Sequence, residues 1–239
     1  PTRVRARAPR PAAHAGRVAP SPPRACARTA PAEAMLAASP DFQTQLGYEL
    51  PDAGKANLAT ASKANAQARL QGRIDLPLDD VGERQADAIA AALGTPDVLI
   101  TSPLLRARQT AERFGMEPVV DERWLEISYG AYEGLPFHEV ASETWDQWRG
   151  DVDFCPPGGE SLATLGARVV AACEELRHQA VDRTVVVISH VSPMKAAVAW
   201  ALGVDLGISW RTHLDHAAVC RIRMTERGPS LLSFNERLW

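Results

Sequence analysis

The chain has 239 residues, 46% of them apolar, enough for one sizeable core. Its four cysteines (Cys26, Cys155, Cys173, Cys220) are spaced too widely for a zinc site or a disulfide framework, so a reduced, cytoplasmic setting is expected. No apolar run reaches the 18 or so residues of a membrane helix, so no membrane partner is expected. The net charge of −3 is unevenly spread: residues 1–50 hold seven Arg against three acids, and the remainder holds 19 basic against 26 acidic residues. An acidic folded part excludes nucleic acid as a natural partner. Residues 1–40, rich in Pro, Ala and Arg, show no periodic apolar pattern and are expected to be disordered.

From Leu76 onward, helix and strand signals alternate. Asp79 or Asp80 caps a predicted helix with Ala86, Ile89, Ala90 and Leu93 on one face, closed by Gly94. Val98-Leu99-Ile100 reads as a buried strand, and Ser102-Pro103 as the cap and first residue of a helix ending near Gly115. Residues 116–158 look irregular. Ser161 opens a long helix carrying Leu162, Leu165, Val169, Cys173 and Leu176 on one face. Val185-Val186-Val187-Ile188 is the clearest strand, and Ser192-Pro193 begins a helix that Gly203 ends. A hairpin, 219–224 with 230–234, turns at Arg227-Gly228. Helices alternating with short, continuously apolar strands imply an α/β fold with a largely parallel sheet.

Two strand–helix units share one design: the first leads into Arg106, the second into His190. Each puts a cationic or titratable side chain past a strand's C-terminal end, beside a helix N-terminus, where anions are favoured. In chain order stand Asn65, Leu70-Gln71-Gly72, Ser102-Pro103-Leu104-Leu105-Arg106-Ala107, Leu125-Glu126, Pro157-Gly158-Gly159-Glu160-Ser161 and Ser189-His190. Together these resemble the histidine phosphatase superfamily, the phosphoglycerate-mutase-like enzymes.

The resemblance implies a three-layer α/β/α sandwich around a mostly parallel central sheet. It implies a phosphomonoester hydrolase for a small phosphorylated metabolite, working through a phosphohistidine with no metal or organic cofactor; it implies no oligomeric state. Such transfer needs several cationic donors already in place. By resemblance, Arg106 grips phosphate oxygens with its fork, His190 donates as the second histidine, and Asn65 is a neutral donor at the rim. Glu126 matches the proton donor to the leaving oxygen, a role that requires a proton at working pH. Ser192 could also donate to phosphate, with helix capping as its other role. Pro157–Ser161 is expected to serve mainly as a turn. His213 and His216 have metal-like spacing without a further ligand, and Trp145 and Trp148 suit either a lid or a core.

The family's nucleophile is a His at the end of the first strand, inside an Arg-His-Gly-Glu motif about four residues before the Asn. Here Leu58-Ala59-Thr60-Ala61 fills that slot, with Leu58 and Ala59 where Arg and His belong. One frame over, the codons of Leu58 to Ser62 read NGC-NAC-NGC-NAG, which wobble choices turn into Arg-His-Gly-Glu. A GC-rich gene, indicated by three Lys among 26 basic residues, favours those choices. The expectation is therefore a histidine phosphatase-like domain over 58–239, preceded by a disordered or mistranslated 1–57. A phosphatase lacking its nucleophile would be inactive. The alternatives are a non-catalytic phospho-ligand binder and a mutase-type phosphotransferase, for which the chain after Asn65 leaves little room.

Overall fold

The computed structural model describes residues 69–239 together with the backbone of one earlier strand, β1 (Ala34–Ala38). The other elements follow in chain order: α1 (Asp80–Leu93), β2 (Val98–Thr101), α2 (Leu105–Glu112), β3 (Val119–Val120), α3 (Ser142–Gly150), α4 (Leu162–Arg177), β4 (Val185–Ser189), α5 (Val191–Leu202), β5 (Ala218–Thr225) and β6 (Gly228–Arg237). The six strands form one sheet in the order β3-β2-β4-β1-β5-β6. β3, β2, β4 and β1 run parallel, and the β5–β6 hairpin closes the far edge antiparallel.

Both faces of the sheet are covered, as the continuously apolar strands require. β4 shows this residue by residue. Val186 and Ile188 join Ile89 of α1 and Ala107 and Ala111 of α2 in one cluster. Val185 and Val187 face the opposite way, into a larger cluster with Leu165 and Val169 of α4 and Met194 and Val198 of α5. The result is the α/β/α sandwich with a mainly parallel centre.

Local signals fixed several elements. Asp79 caps α1, its Oδ1 accepting from the Val81 and Gly82 amides at 3.0 and 2.8 Å, and Gly94 ends it with φ +68°. Ser161 caps α4 through the Thr164 amide at 3.1 Å. Three expectations need correcting. The stretch 116–158 contains α3, which buries Trp145 and Trp148 three residues apart on its inner face. Helix α2 begins at Leu105 and stops at Glu112, and Ser102 does not cap it.

The third correction concerns the segment ending at residue 57, where composition predicts no order. Ala34–Ala38 instead occupies the sheet's centre, pairing with β4 from Ala34↔Val185 to Ala38↔Ser189 and with β5 on its other edge. Five consecutive apolar residues suffice for a strand whose backbone is bonded on both sides. Composition averaged over forty residues hides so short a run.

Candidate active site

The C-terminal ends of two neighbouring parallel strands build the site's floor. The Ser102 amide donates to the Ile188 carbonyl at 2.9 Å, carrying the β2–β4 pairing one residue beyond β2. Past β4, His190 takes the N-cap position of α5 in an extended conformation (φ −127°, ψ 173°) without capping it through its own side chain. Its ring instead meets Ser102: Nε2 lies 2.8 Å from Oγ, with both residues fully buried.

The cap of α5 comes from elsewhere. Glu126, 4% exposed, accepts from the Ile127 amide through Oε1 at 2.7 Å and from the Ser192 amide through Oε2 at 3.4 Å. Its second oxygen thus meets an amide that the start of α5 leaves without a helical partner. Ser192 therefore meets Glu126 through its backbone N–H. The Ser189 hydroxyl fixes the same loop to the sheet by donating to the Trp124 carbonyl at 2.8 Å.

Arg106 sits in the first turn of α2, 2% exposed. Its Nη1 donates to the Ile74 carbonyl and its Nη2 to the Gly72 carbonyl, each at 2.9 Å. Part of the fork thus holds the 72–75 loop. The loop reciprocates, because Asp75 Oδ1 accepts from the Leu105 amide and supplies α2 with the cap expected from Ser102. Arg73 then reaches across to the Glu126 carbonyl at 3.1 Å. Arg106, Glu126 and His190 are thereby tied into one frame through this loop and the two strand ends.

Sequence reasoning missed this loop's role, although Leu70-Gln71-Gly72 was visible. Gly72 is required there: φ is +49°, and an added Cβ would lie 2.7 Å from Glu133 Oε1. Gln71, 4% exposed, has no partner on either amide atom among the described residues. A buried amide without partners is costly, which makes Gln71 a candidate ligand group.

The Pro157–Ser161 motif does more than turn the chain. Glu160 accepts from Arg168 at both oxygens (2.8 and 2.8 Å) and from Arg73 at 3.0 Å. Arg168 continues to the carbonyls of Arg123 (2.6 Å) and Glu126 (3.3 Å). One buried carboxylate thus holds two guanidinium groups, each of which also grips the Glu126 backbone. Gly130 completes the junction, since a Cβ there would lie 2.3 Å from the Pro157 carbonyl oxygen.

Another buried charge was not singled out from the sequence. Lys195 of α5 is 4% exposed, and its Nζ donates to the Ser209 carbonyl at 2.9 Å. Burial pulls its amine down to about 7, and the charge of Glu126 only partly opposes that. Trp145 and Trp148 belong to the core, stacked at 5.4 Å. His213 pairs with Asp215 at 3.0 Å, and no metal-binding group of side chains occurs among the described residues. No helix among them is long and apolar enough to cross a membrane.

A family model described as the histidine phosphatase superfamily (branch 1) matches residues 59–237. The chain belongs to that superfamily. Phosphoserine phosphatase 1 of Hydrogenobacter thermophilus is 36% identical over 186 residues, covering 73% of this chain and 87% of the relative. A bifunctional protein of Mycobacterium tuberculosis is 35% identical over 168 residues, covering 66% of this chain; the match spans 46% of that longer relative. Among solved structures, a phosphoserine phosphatase from Entamoeba histolytica in complex with 3-phosphoglyceric acid superposes with a TM-score of 0.70 at 23% identity. It covers 85% of this chain and 96% of the other, and it speaks for the fold.

Leu58, Ala59 and Asn65 lie outside the described residues. The amino-acid sequence alone shows that the family's motif is absent from 58–61. Leu58 lies 20 positions beyond Ala38, the last residue of β1.

Proposed function

We propose that the frame around Arg106, Glu126 and His190 is the phosphate site of a phosphomonoester hydrolase for small phosphorylated metabolites. The observation that carries this reading is the meeting of Ser102 and His190 where two parallel strands end, with Glu126 at the N-terminus of the following helix. Anionic ligands bind at such an edge. In the proposed roles, Arg106 and His190 donate to the phosphoryl oxygens, Asn65 and Ser192 complete the rim, and Glu126 passes a proton to the leaving oxygen. The nucleophile in such a reaction is an imidazole that becomes phosphohistidine.

The chain as written supplies no imidazole at 58–61, so it binds phosphorylated ligands without turning them over. The out-of-frame Arg-His-Gly-Glu reading accounts for that loss. Unpaired thiols at Cys173 and Cys220, which burial raises to about 12 and about 11, suit a reducing cytoplasm.

Inorganic phosphate or vanadate should bind the purified chain, and His190→Ala and Arg106→Met should each abolish that binding. An aryl phosphate should be left intact and no acid-labile phosphoprotein should form. Robust hydrolysis by this polypeptide would refute the assignment of the nucleophile. Binding untouched by both substitutions would refute the pocket.

A further inference from the structure

Lys195 puts a titratable amine behind the proposed phosphate site. It stands three positions after Ser192, on the same side of α5 and about one turn in from the N-terminus where the Ser192 amide meets Glu126 Oε2. The side chain is 4% exposed, and its single hydrogen bond among the described residues runs from Nζ to the Ser209 carbonyl at 2.9 Å. An ammonium has three protons to donate, so two of them are left without an acceptor. The Ser209 hydroxyl, itself buried and unpartnered among the described residues, does not add to that bond. A charge buried with so little compensation favours loss of its proton, and burial brings the amine down to about 7.

The charged groups on the elements around α5 leave Glu126 as the counter-charge. Glu174 of α4 accepts from Trp200 Nε1, and Arg73 and Arg168 are both bound to Glu160. Arg221 of β5 pairs with Glu236 of β6; strand alternation turns it and Arg223 away from Cys220 and Ile222, which share a cluster with α5. Asp205 accepts from the Gly207 amide, Arg211 is exposed, and β1 carries no charged residue. Cys173 and Cys220 are thiols that burial keeps protonated, raised to about 12 and about 11. Glu126 favours the ammonium of Lys195 but does not offset its burial. An anion bound at the N-terminus of α5 would add negative charge on the side of Glu126 and tip that balance.

We propose that Lys195 is a charge-compensating residue that takes up a proton when a tetrahedral dianion binds beside Glu126, so that the site gains a buried positive charge only together with its ligand. The proton comes from solvent and is held by the lone pair of Nζ; no other bond changes. The inference rests on the phosphate-site reading above. Linkage is reciprocal: the dianion binds the protonated form more tightly by the factor with which it raises the proton's affinity for Nζ. Binding therefore weakens as pH rises through the range in which Nζ loses its proton.

The test is a carbon NMR titration of the lysine Cε resonances in the full chain, with sulfate as the probe because its charge stays constant over that range. The chain has three lysines, and the Lys195 resonance is the one lost in Lys195→Met or Lys195→Arg. Its midpoint should lie near the value of about 7 without sulfate, and at least about one pH unit higher at saturation. Such a rise corresponds to sulfate binding roughly fivefold tighter at pH 7 than at pH 10, and Lys195→Met should lose that difference.

A midpoint that bound sulfate leaves unmoved overturns the proposal alone. So does a midpoint in the free protein near the ordinary 10.5, since the amine would then hold its proton before any ligand arrived. A fall in affinity between pH 7 and pH 10 that persists undiminished in Lys195→Met assigns the proton to another group and also overturns it. A native protein that binds no sulfate refutes the phosphate-site reading, and the proposal with it.

Discussion

Replacing Lys195 with Met should stabilise the protein in acid and lose that advantage in alkali. The ammonium is buried in α5 with one hydrogen bond, to the Ser209 carbonyl, and burial lowers its amine from 10.5 to about 7. An unfolded Lys keeps its proton to about 10.5. Between those two values the unfolded chain binds more protons than the folded one, so stability rises with pH across that window. The penalty is present in full below pH 7 and is gone above about pH 10.5. A shift of this size corresponds to about 5 kcal/mol. Methionine fills similar volume but leaves the Ser209 carbonyl without its donor, which costs about 1 kcal/mol. The net expectation is a gain of about 3–4 kcal/mol at pH 6, shrinking to nothing or reversing near pH 10. Urea denaturation of both proteins at several pH values measures the gap directly, and groups common to both cancel. A gap that does not change with pH would refute the reasoning, since only the titration of Lys195 separates the two proteins.

Three further substitutions probe the frame. Gly130→Ala forces a side chain into left-handed backbone (φ +53°) and against the Pro157 carbonyl, so a loss of about 3 kcal/mol is expected; an unchanged melting temperature would contradict the close approach. Glu160→Gln removes the charge facing Arg73 and Arg168 and should cost about 3 kcal/mol in chemical denaturation. A loss no greater than that of an exposed pair would mean the clamp does not hold the site. Leu36→Pro deletes a backbone donor in a strand bonded on both edges and should cost at least about 3 kcal/mol. Native-like melting would show that the sheet does not depend on β1.

What could be read from the sequence was whatever is encoded locally. Asp79 and Gly94 bracket α1, Ser161 opens α4, and Val185–Ile188 could only be a buried strand. Both Ser-Pro pairs misled, because the caps of α2 and α5 come from Asp75 and Glu126, 30 and 66 residues away in sequence. No window of local sequence reveals such a partner. β1 was missed because five apolar residues lie within a Pro/Arg/Ala-rich segment, and α3 because its signal is two tryptophans in a stretch without caps. At the site, Arg106, Glu126 and His190 stood out through their motifs. The ties of Arg73 and Glu160 to them depend on contacts across 53 and 87 positions.

The double hold on the Glu126 backbone bears on how ligands could be told apart. Arg73 and Arg168 grip its carbonyl from two elements, and Gly130 wedges the adjoining turn against Pro157. A loop pinned at three points behaves as a fixed jig: it sets one distance and angle for whatever docks against it. A bulkier ligand gains no room from this side without breaking ion pairs. Under the proposed phosphate-site reading, discrimination among ligands would reside in the parts of the pocket that these ties leave unpinned, while Glu126 would keep one position from one ligand to the next.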